Sequence, residues 1–231
     1  MKTLPNVTLI SYDNTDDPTR TLRALRYCAS LIQFAAVVCV CRGLSGVRGN
    51  DAAGVECRFV SERGYPAAMV WEVAGVRDYI NTDFALCIHH DGYILNAEAW
   101  NDDWLKYDFI GAPWPAMPHP AHPGKSDRPG RVGNTGFCLK SKAFMDQTSD
   151  MKKDFVRWSQ HPDQYGQQWG ADTFCSQMMR LNLVFSGINF APVDVAASFG
   201  WESNIEEIPG DRPYAFGFHN FAHENKQVPR V

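Results

Sequence analysis

His89, His90 and Asp91 bring two imidazoles and a carboxylate to one point of the chain. They follow Phe84-Ala85-Leu86-Cys87-Ile88, a continuous apolar run of the kind that forms a strand covered on both faces. In open α/β sheets, ligands bind outside the carboxyl ends of the strands. An acid in that place can hold a divalent cation, and the cation can hold a phosphate-bearing ligand. Asp91 is the candidate for that role. Asp91-Gly92 is also an ordinary turn dipeptide. His90, by strand alternation with His89, points into the core or away from the site.

The surrounding elements must position this cluster. Val7 to Tyr12 reads as a first strand, and the polar stretch Asp13 to Pro18 as a turn. Leu22, Leu25, Cys28, Ala29 and Ile32 then recur at helical spacing, with Pro18 near the helix start and Asp16 or Asp17 as its cap. Ala35 to Cys41 is a short buried strand. Strand, helix and strand in this order predict a parallel sheet. The end of the first strand is then a second ligand-facing position. Ser11, Tyr12 and Asp13 there either contact a nucleotide base or ribose, or serve only to cap the helix.

Val55 to Val60 alternates like an edge strand. Tyr65 to Ile80 is mostly helical in pattern, with Gly75 as its weak point. Val132 to Lys140 returns to a strand pattern, and helices are expected in Lys142 to Trp158 and in Ala171 to Leu181. Phe190-Ala191-Pro192 and Phe216-Gly217-Phe218-His219 are short buried segments. The fold class is α/β, a central, mostly parallel sheet flanked by helices in one domain over residues 1–231.

Bulk properties narrow the function classes. A hydrophobic fraction of 45% with 13% aromatics supplies a substantial core, so neither disorder nor a membrane span is indicated. The longest apolar run, Phe34 to Cys41, is too short to cross a bilayer. The N-terminus lacks the pattern of a secretory signal. Seven cysteines are an odd number, and Cys39, Cys41, Cys87, Cys138 and Cys175 sit inside apolar runs, as reduced and buried thiols do. A cytoplasmic location is the expectation. A net charge of −4 argues against a general nucleic-acid binder.

Several strings, taken in order, carry a resemblance. They are Tyr79 to Leu86, His90-Asp91-Gly92-Tyr93 with Trp100, and Tyr107 to Trp114. They continue with Val132 to Ser141, Phe190-Ala191-Pro192, Ala196 to Glu202 and Phe216 to His219. Together they resemble a glycosyltransferase-like family long described only as a domain of unknown function. That family is similar to the GT-A class of nucleotide-sugar-dependent transferases. The resemblance implies a Rossmann-like domain in which an Asp-x-Asp motif after a central strand binds a metal that grips the donor diphosphate. Asp91 matches the last Asp of that motif. His89 stands where its first Asp would be. An imidazole ligates Mn²⁺ and suits Mg²⁺ less well, so Mn²⁺ is the implied ion. His219 matches a further metal ligand near the C-terminus, or else is a core histidine between aromatics. Asp172 matches the catalytic base at the start of a late helix, or else caps that helix.

The implied function is transfer of a sugar from a nucleoside-diphosphate donor, by analogy a uridine diphosphate, to an acceptor hydroxyl with inversion. The rivals are a nucleotidyltransferase and a domain that binds a nucleotide-sugar or glycan without turnover. Gly92, Asn134 and Gly136 join the donor contacts, because a glycine-rich segment lets backbone approach a sugar closely. Trp114 and Trp169 are candidates to stack on a sugar. The proline-rich loop 115–131 carries Lys125, Arg128 and Arg131, besides His119 and His122. With Trp114 these basic residues are the candidate acceptor contacts, for a glycan, a small molecule or a modified DNA base. The same loop could instead be a lid that closes on the donor.

Overall fold

The computed structural model describes residues 1–61, 64–115, 131–160 and 170–219. Strand β1, Lys2–Asp13, leads into helix α1, Thr19–Leu31, which buries Thr21, Leu22, Ala24, Leu25 and Cys28 on one face. Asp17 Oδ1 accepts from Thr19 N at 3.1 Å at the helix start. The backbone turns extended at Ile32, where β2, Ile32–Cys41, begins. β3 is Glu56–Phe59, β4 Phe84–Ile88, β5 Gly92–Ile94, β6 Phe109–Gly111 and β7 Phe137–Ser141. The main sheet has the order β3-β2-β1-β4-β7-β6. β1 pairs in parallel with both β2 and β4, and β2 in parallel with β3. β7 is antiparallel to both of its neighbours, so it alone runs against the rest. The expected α/β architecture and mostly parallel sheet are present.

This order places a switch point at β1. The chain leaves β1 toward β2 and β3 on one side, then returns to pair β4 on the other. A crevice therefore opens beyond the carboxyl ends of β1 and β4. Ser11 Oγ donates to the Ile88 carbonyl at 2.6 Å and ties those two ends together.

A second, small sheet closes the far side of the crevice. It is ordered β5-β9-β8, where β8 is Gly200–Trp201 and β9 is Gly217–His219. Gly92 pairs with His219, so Asp91 and His219 arrive side by side. An aromatic cluster of Trp100, Trp104, Phe137, Phe199 and Phe216 underlies this sheet, with ring centroids 5.2–5.8 Å apart. Rings at such separations favour offset and edge-to-face packing.

The structure departs from the sequence reading in three helix or strand segments. The stretch read as a helix over 65–80 is an α-helix, Gly64–Val70, then a π turn, Trp71–Gly75, then a 3₁₀ turn, Val76–Tyr79. Lys140 Nζ donates to the Glu72 carbonyl at 2.7 Å and Ser149 Oγ to the Ala74 carbonyl at 3.2 Å. Side chains reaching into the backbone ladder widen a turn in this way. The stretch 171–181 divides likewise into a short helix, Ala171–Thr173, a π turn, Phe174–Met178, and the start of a helix, Arg180–Phe185. The strand read over 132–140 begins only at Phe137, because Asn134 Oδ1 accepts from Phe137 N at 3.1 Å and turns the chain. The five cysteines placed in apolar runs are buried and free. Among the described residues, no helix is long and apolar enough to cross a membrane.

Candidate active site

β4 ends at Ile88, and His89 N donates to the Gly136 carbonyl at 2.8 Å. Gly92 N then turns back to the His89 carbonyl at 3.0 Å. This turn presents His89 and Asp91 to the crevice, and β9 brings His219 to meet them. One ligand atom from each of His89, Asp91 and His219 lies within 4.8 Å of the others. Among the described residues, this is the group of histidines, cysteines and acids close enough to share an ion. His90 is outside it, in keeping with strand alternation.

Each histidine of the group leans on a carboxylate. His89 Nε2 is 2.8 Å from Glu72 Oε1, and His219 Nδ1 is 3.2 Å from Glu202 Oε1. His219 Nε2 faces Asp91 Oδ1 at 3.5 Å. Metal-binding histidines characteristically give their second nitrogen to a carboxylate, which fixes the ring and makes it a better ligand. The donor set, two imidazoles and one carboxylate with a carboxylate behind each imidazole, therefore fits a divalent transition-metal ion.

The same groups pair with one another electrostatically. Burial acts to raise the Asp91 carboxyl, but the His219 hydrogen bond and charge outweigh it and hold the group well below the usual carboxylate range. Burial would lower His219, yet its bonds to Asp91 and Glu202 carry it up to about 9. Burial likewise pushes Glu72 up, and the His89 charge and hydrogen bond, the Thr135 hydroxyl and the Lys140 charge bring it below its ordinary value.

Three glycines here are hemmed in by contact and not by turn conformation. A Cβ on Gly136 would fall 2.1 Å from His219 Nε2, and one on Gly133 2.3 Å from Ser176 Oγ. The absent side chain of Gly136 thus makes room for the imidazole. Gly92 is equally hemmed in, with the Gly136 carbonyl 2.5 Å from its would-be Cβ. Asn134 is buried, and its Nδ2 approaches His219 Nδ1 to 3.0 Å, a packing contact when that nitrogen's proton goes to Glu202.

Asp172 sits in the first turn of its short helix, after Gly170 at the cap position. Its Oδ1 accepts from Thr173 N at 2.7 Å, and its carbonyl from Ser176 Oγ at 2.6 Å. Burial, and then the negative charges of Glu72 and Glu202, raise its carboxyl to about 6. The same Ser176 abuts Gly133, next to Asn134, which connects Asp172 to the loop that packs against His219.

Other residues expected to contact a ligand have partners within the chain. The Ser11 hydroxyl is held by Ile88, as above. Asp13 Oδ1 accepts from Thr15 N at 2.8 Å and its Oδ2 from Thr21 Oγ1 at 2.5 Å, so it organises the turn into α1. Arg131 gives Nε to the Trp114 carbonyl at 2.9 Å and pairs with Glu206 and Glu207. Its guanidinium thus sits between two carboxylates. Trp114 Nε1 donates to Glu202 Oε2 at 2.8 Å and steadies the carboxylate behind His219. Lys125, Arg128, His119, His122 and Trp169 lie outside the described residues.

Tyr12 does face a cavity. An open cavity of about 400 Å³ is lined by Tyr12, Val60, Val70, Trp71, Gly75 and Tyr79, among others, with Asp78 and Lys152 adding charge. Tyr12 and Trp71 stack along its wall with centroids 5.1 Å apart. Trp71 adjoins Glu72, so the cavity wall is one residue from the partner of His89.

Sequence reading missed Glu72 and Glu202. Glu72 had a signal, as the single acid within the apolar run Ala67-Ala68-Met69-Val70-Trp71-Glu72-Val73-Ala74. Glu202 had none.

The sequence profile of a family described as protein of unknown function (DUF5672) matches residues 58–219. The chain belongs to the DUF5672 family. No curated protein is similar to it in sequence. Among solved structures, the galactosyltransferase LgtC, in complex with donor and acceptor sugar analogs, superposes with a TM-score of 0.59 at 11% identity. That match covers 94% of this chain and 87% of LgtC. An active-site mutant of LgtC gives 0.57 at 12% identity, over 92% of this chain and 86% of the other. A glycosyltransferase involved in glycosylation of the major capsid of PBCV-1 gives 0.50 at 11% identity, over 94% of each chain. At such identities the likeness concerns the fold, and this DUF5672 member has an LgtC-like GT-A fold.

Proposed function

We propose that this protein is a glycosyltransferase that moves a sugar from a uridine-diphosphate donor to an acceptor hydroxyl, assisted by Mn²⁺ and with inversion at the anomeric carbon. The observation that carries this reading is the convergence of His89, Asp91 and His219 at the switch point of a GT-A sheet. These three residues would hold the ion. When bound, it supplies positive charge to the departing diphosphate.

The chain's own residues supply the rest. The cavity beside Tyr12 and Trp71 has the size and aromatic wall suited to a nucleoside. Asp172 takes the acceptor hydroxyl's proton. Its carboxyl titrates near 6, so at neutral pH it is ionised and still close enough to ambient pH to serve as a base. Inversion follows from this role, because the deprotonated acceptor attacks the face opposite the leaving diphosphate.

A panel of nucleotide-sugars tested by thermal shift, with and without Mn²⁺, checks the donor class. A productive donor raises the melting temperature only when the ion is present. NMR of the product then reads the anomeric configuration, and retention would remove Asp172 as the base.

A further inference from the structure

The position where the sequence reading expects an acid holds His89, and the structure puts an acid directly behind it. We infer that Glu72 is a positioning residue for the ion site, acting through His89: it holds Nε2 and leaves Nδ1 to face the ion. The inference rests on the proposed metal reading.

Four observations support it. Glu72 is only 6% exposed. Its Oε1 is 2.8 Å from His89 Nε2, and its Oε2 accepts from Thr135 Oγ1 at 2.6 Å, so both oxygens are fixed. Its backbone carbonyl accepts from the buried Lys140 Nζ at 2.7 Å, which anchors the π turn carrying it. Lys140 thus hydrogen-bonds the main chain, and the carboxylate is turned toward the imidazole.

The chemistry follows from the tautomer. A neutral imidazole has one N–H and one lone pair. A carboxylate at Nε2 fixes the proton there, and the lone pair is then on Nδ1. The carboxylate also makes that lone pair more basic. Of the three ligands, only Asp91 brings a negative charge to the ion. Glu72 restores at one remove the charge that an aspartate at position 89 would bring directly.

Calorimetric titration with Mn²⁺ tests this. Wild-type protein is expected to bind the ion, and Glu72→Gln to bind it about 10- to 100-fold more weakly. In a His89→Ala background, Glu72→Gln is expected to change Mn²⁺ affinity no further. Equal affinity of wild type and Glu72→Gln would overturn the inference. So would an equal loss in the His89→Ala background, because Glu72 would then act on the fold alone. Failure of the wild type to bind Mn²⁺ would instead remove the metal reading itself, and the inference with it. A wild-type measurement guards against an unfolded variant. In Cd²⁺-loaded protein, ¹⁵N NMR of His89 should show a ligated Nδ1 and a protonated Nε2. Ligation through Nε2 would overturn the assignment.

Discussion

At the scale of single residues, the site is defined by carboxylates and imidazoles that shift one another. Asp172 is the clearest case. Its carboxyl moves from 3.8 to about 6 through burial and the charges of Glu72 and Glu202. Folding therefore favours the acid form. The cost of ionisation is absent below about pH 4, grows up to about pH 6, and reaches about 3 kcal/mol above that. Asn cannot ionise and keeps an Oδ1 acceptor for Thr173 N. Asp172→Asn is thus expected to stabilise the protein at pH 7 to 8 by up to that amount, with the gain fading toward pH 4. The same variant should lose about 10²- to 10⁴-fold in transfer rate while still binding donor. Urea denaturation across pH and single-turnover kinetics would check both. His219 behaves oppositely. Its imidazolium is favoured up to about pH 9, so the stability it lends the metal-free fold is present below 6.5 and is lost as pH rises through 9. An incoming ion must displace that proton. Mn²⁺ affinity is expected to rise with pH by up to about tenfold per unit and to level off near pH 9. A flat profile by calorimetry between pH 6 and 8 would exclude His219 as a ligand.

At the scale of elements, the meeting of His89, Asp91 and His219 depends on a close approach between β9 and the loop before β7. Gly136 allows it, since a methyl there would fall 2.1 Å from His219 Nε2. Gly136→Ala is expected to displace the imidazole, weaken Mn²⁺ binding by at least about tenfold, and cost about 1–3 kcal/mol of stability. Calorimetry and chemical denaturation read the two effects separately. Elements built from local pattern were legible in the sequence: α1 from its apolar spacing, β4 from its five-residue run, β3 as an exposed edge. The π turns at Trp71–Gly75 and Phe174–Met178 were not, because their cause is distant. Lys140 and Ser149 reach the first across the fold, and nothing within residues 65–80 announces them. Both π turns lie against a site carboxylate, Glu72 in the first and Asp172 just before the second. Such turns recur at functional sites.

At the scale of the whole molecule, the strand order places the chemistry. A switch point between β1 and β4 opens the crevice, and the small β5-β9-β8 sheet closes its far side with His219 and Glu202. That Asp91 and His89 meet His219 was expected, because the family resemblance supplied a motif at the end of a buried strand and a separate histidine near the C-terminus. The partners of Ser11, Asp13 and Arg131 were not legible, because residue type reveals a hydrogen-bonding group but not the group that meets it. Glu202 was illegible, since only the small sheet brings it to His219. Trp71 of the cavity wall and Glu72, the partner of His89, are consecutive residues of one π turn. The most direct test is calorimetry of UDP with and without Mn²⁺, on wild-type protein and on Asp91→Ala. The expected result is UDP binding in the presence of Mn²⁺, weakened at least about tenfold by chelation or by the substitution. UDP binding of equal strength in all of these conditions would contradict a donor diphosphate held through an ion at Asp91.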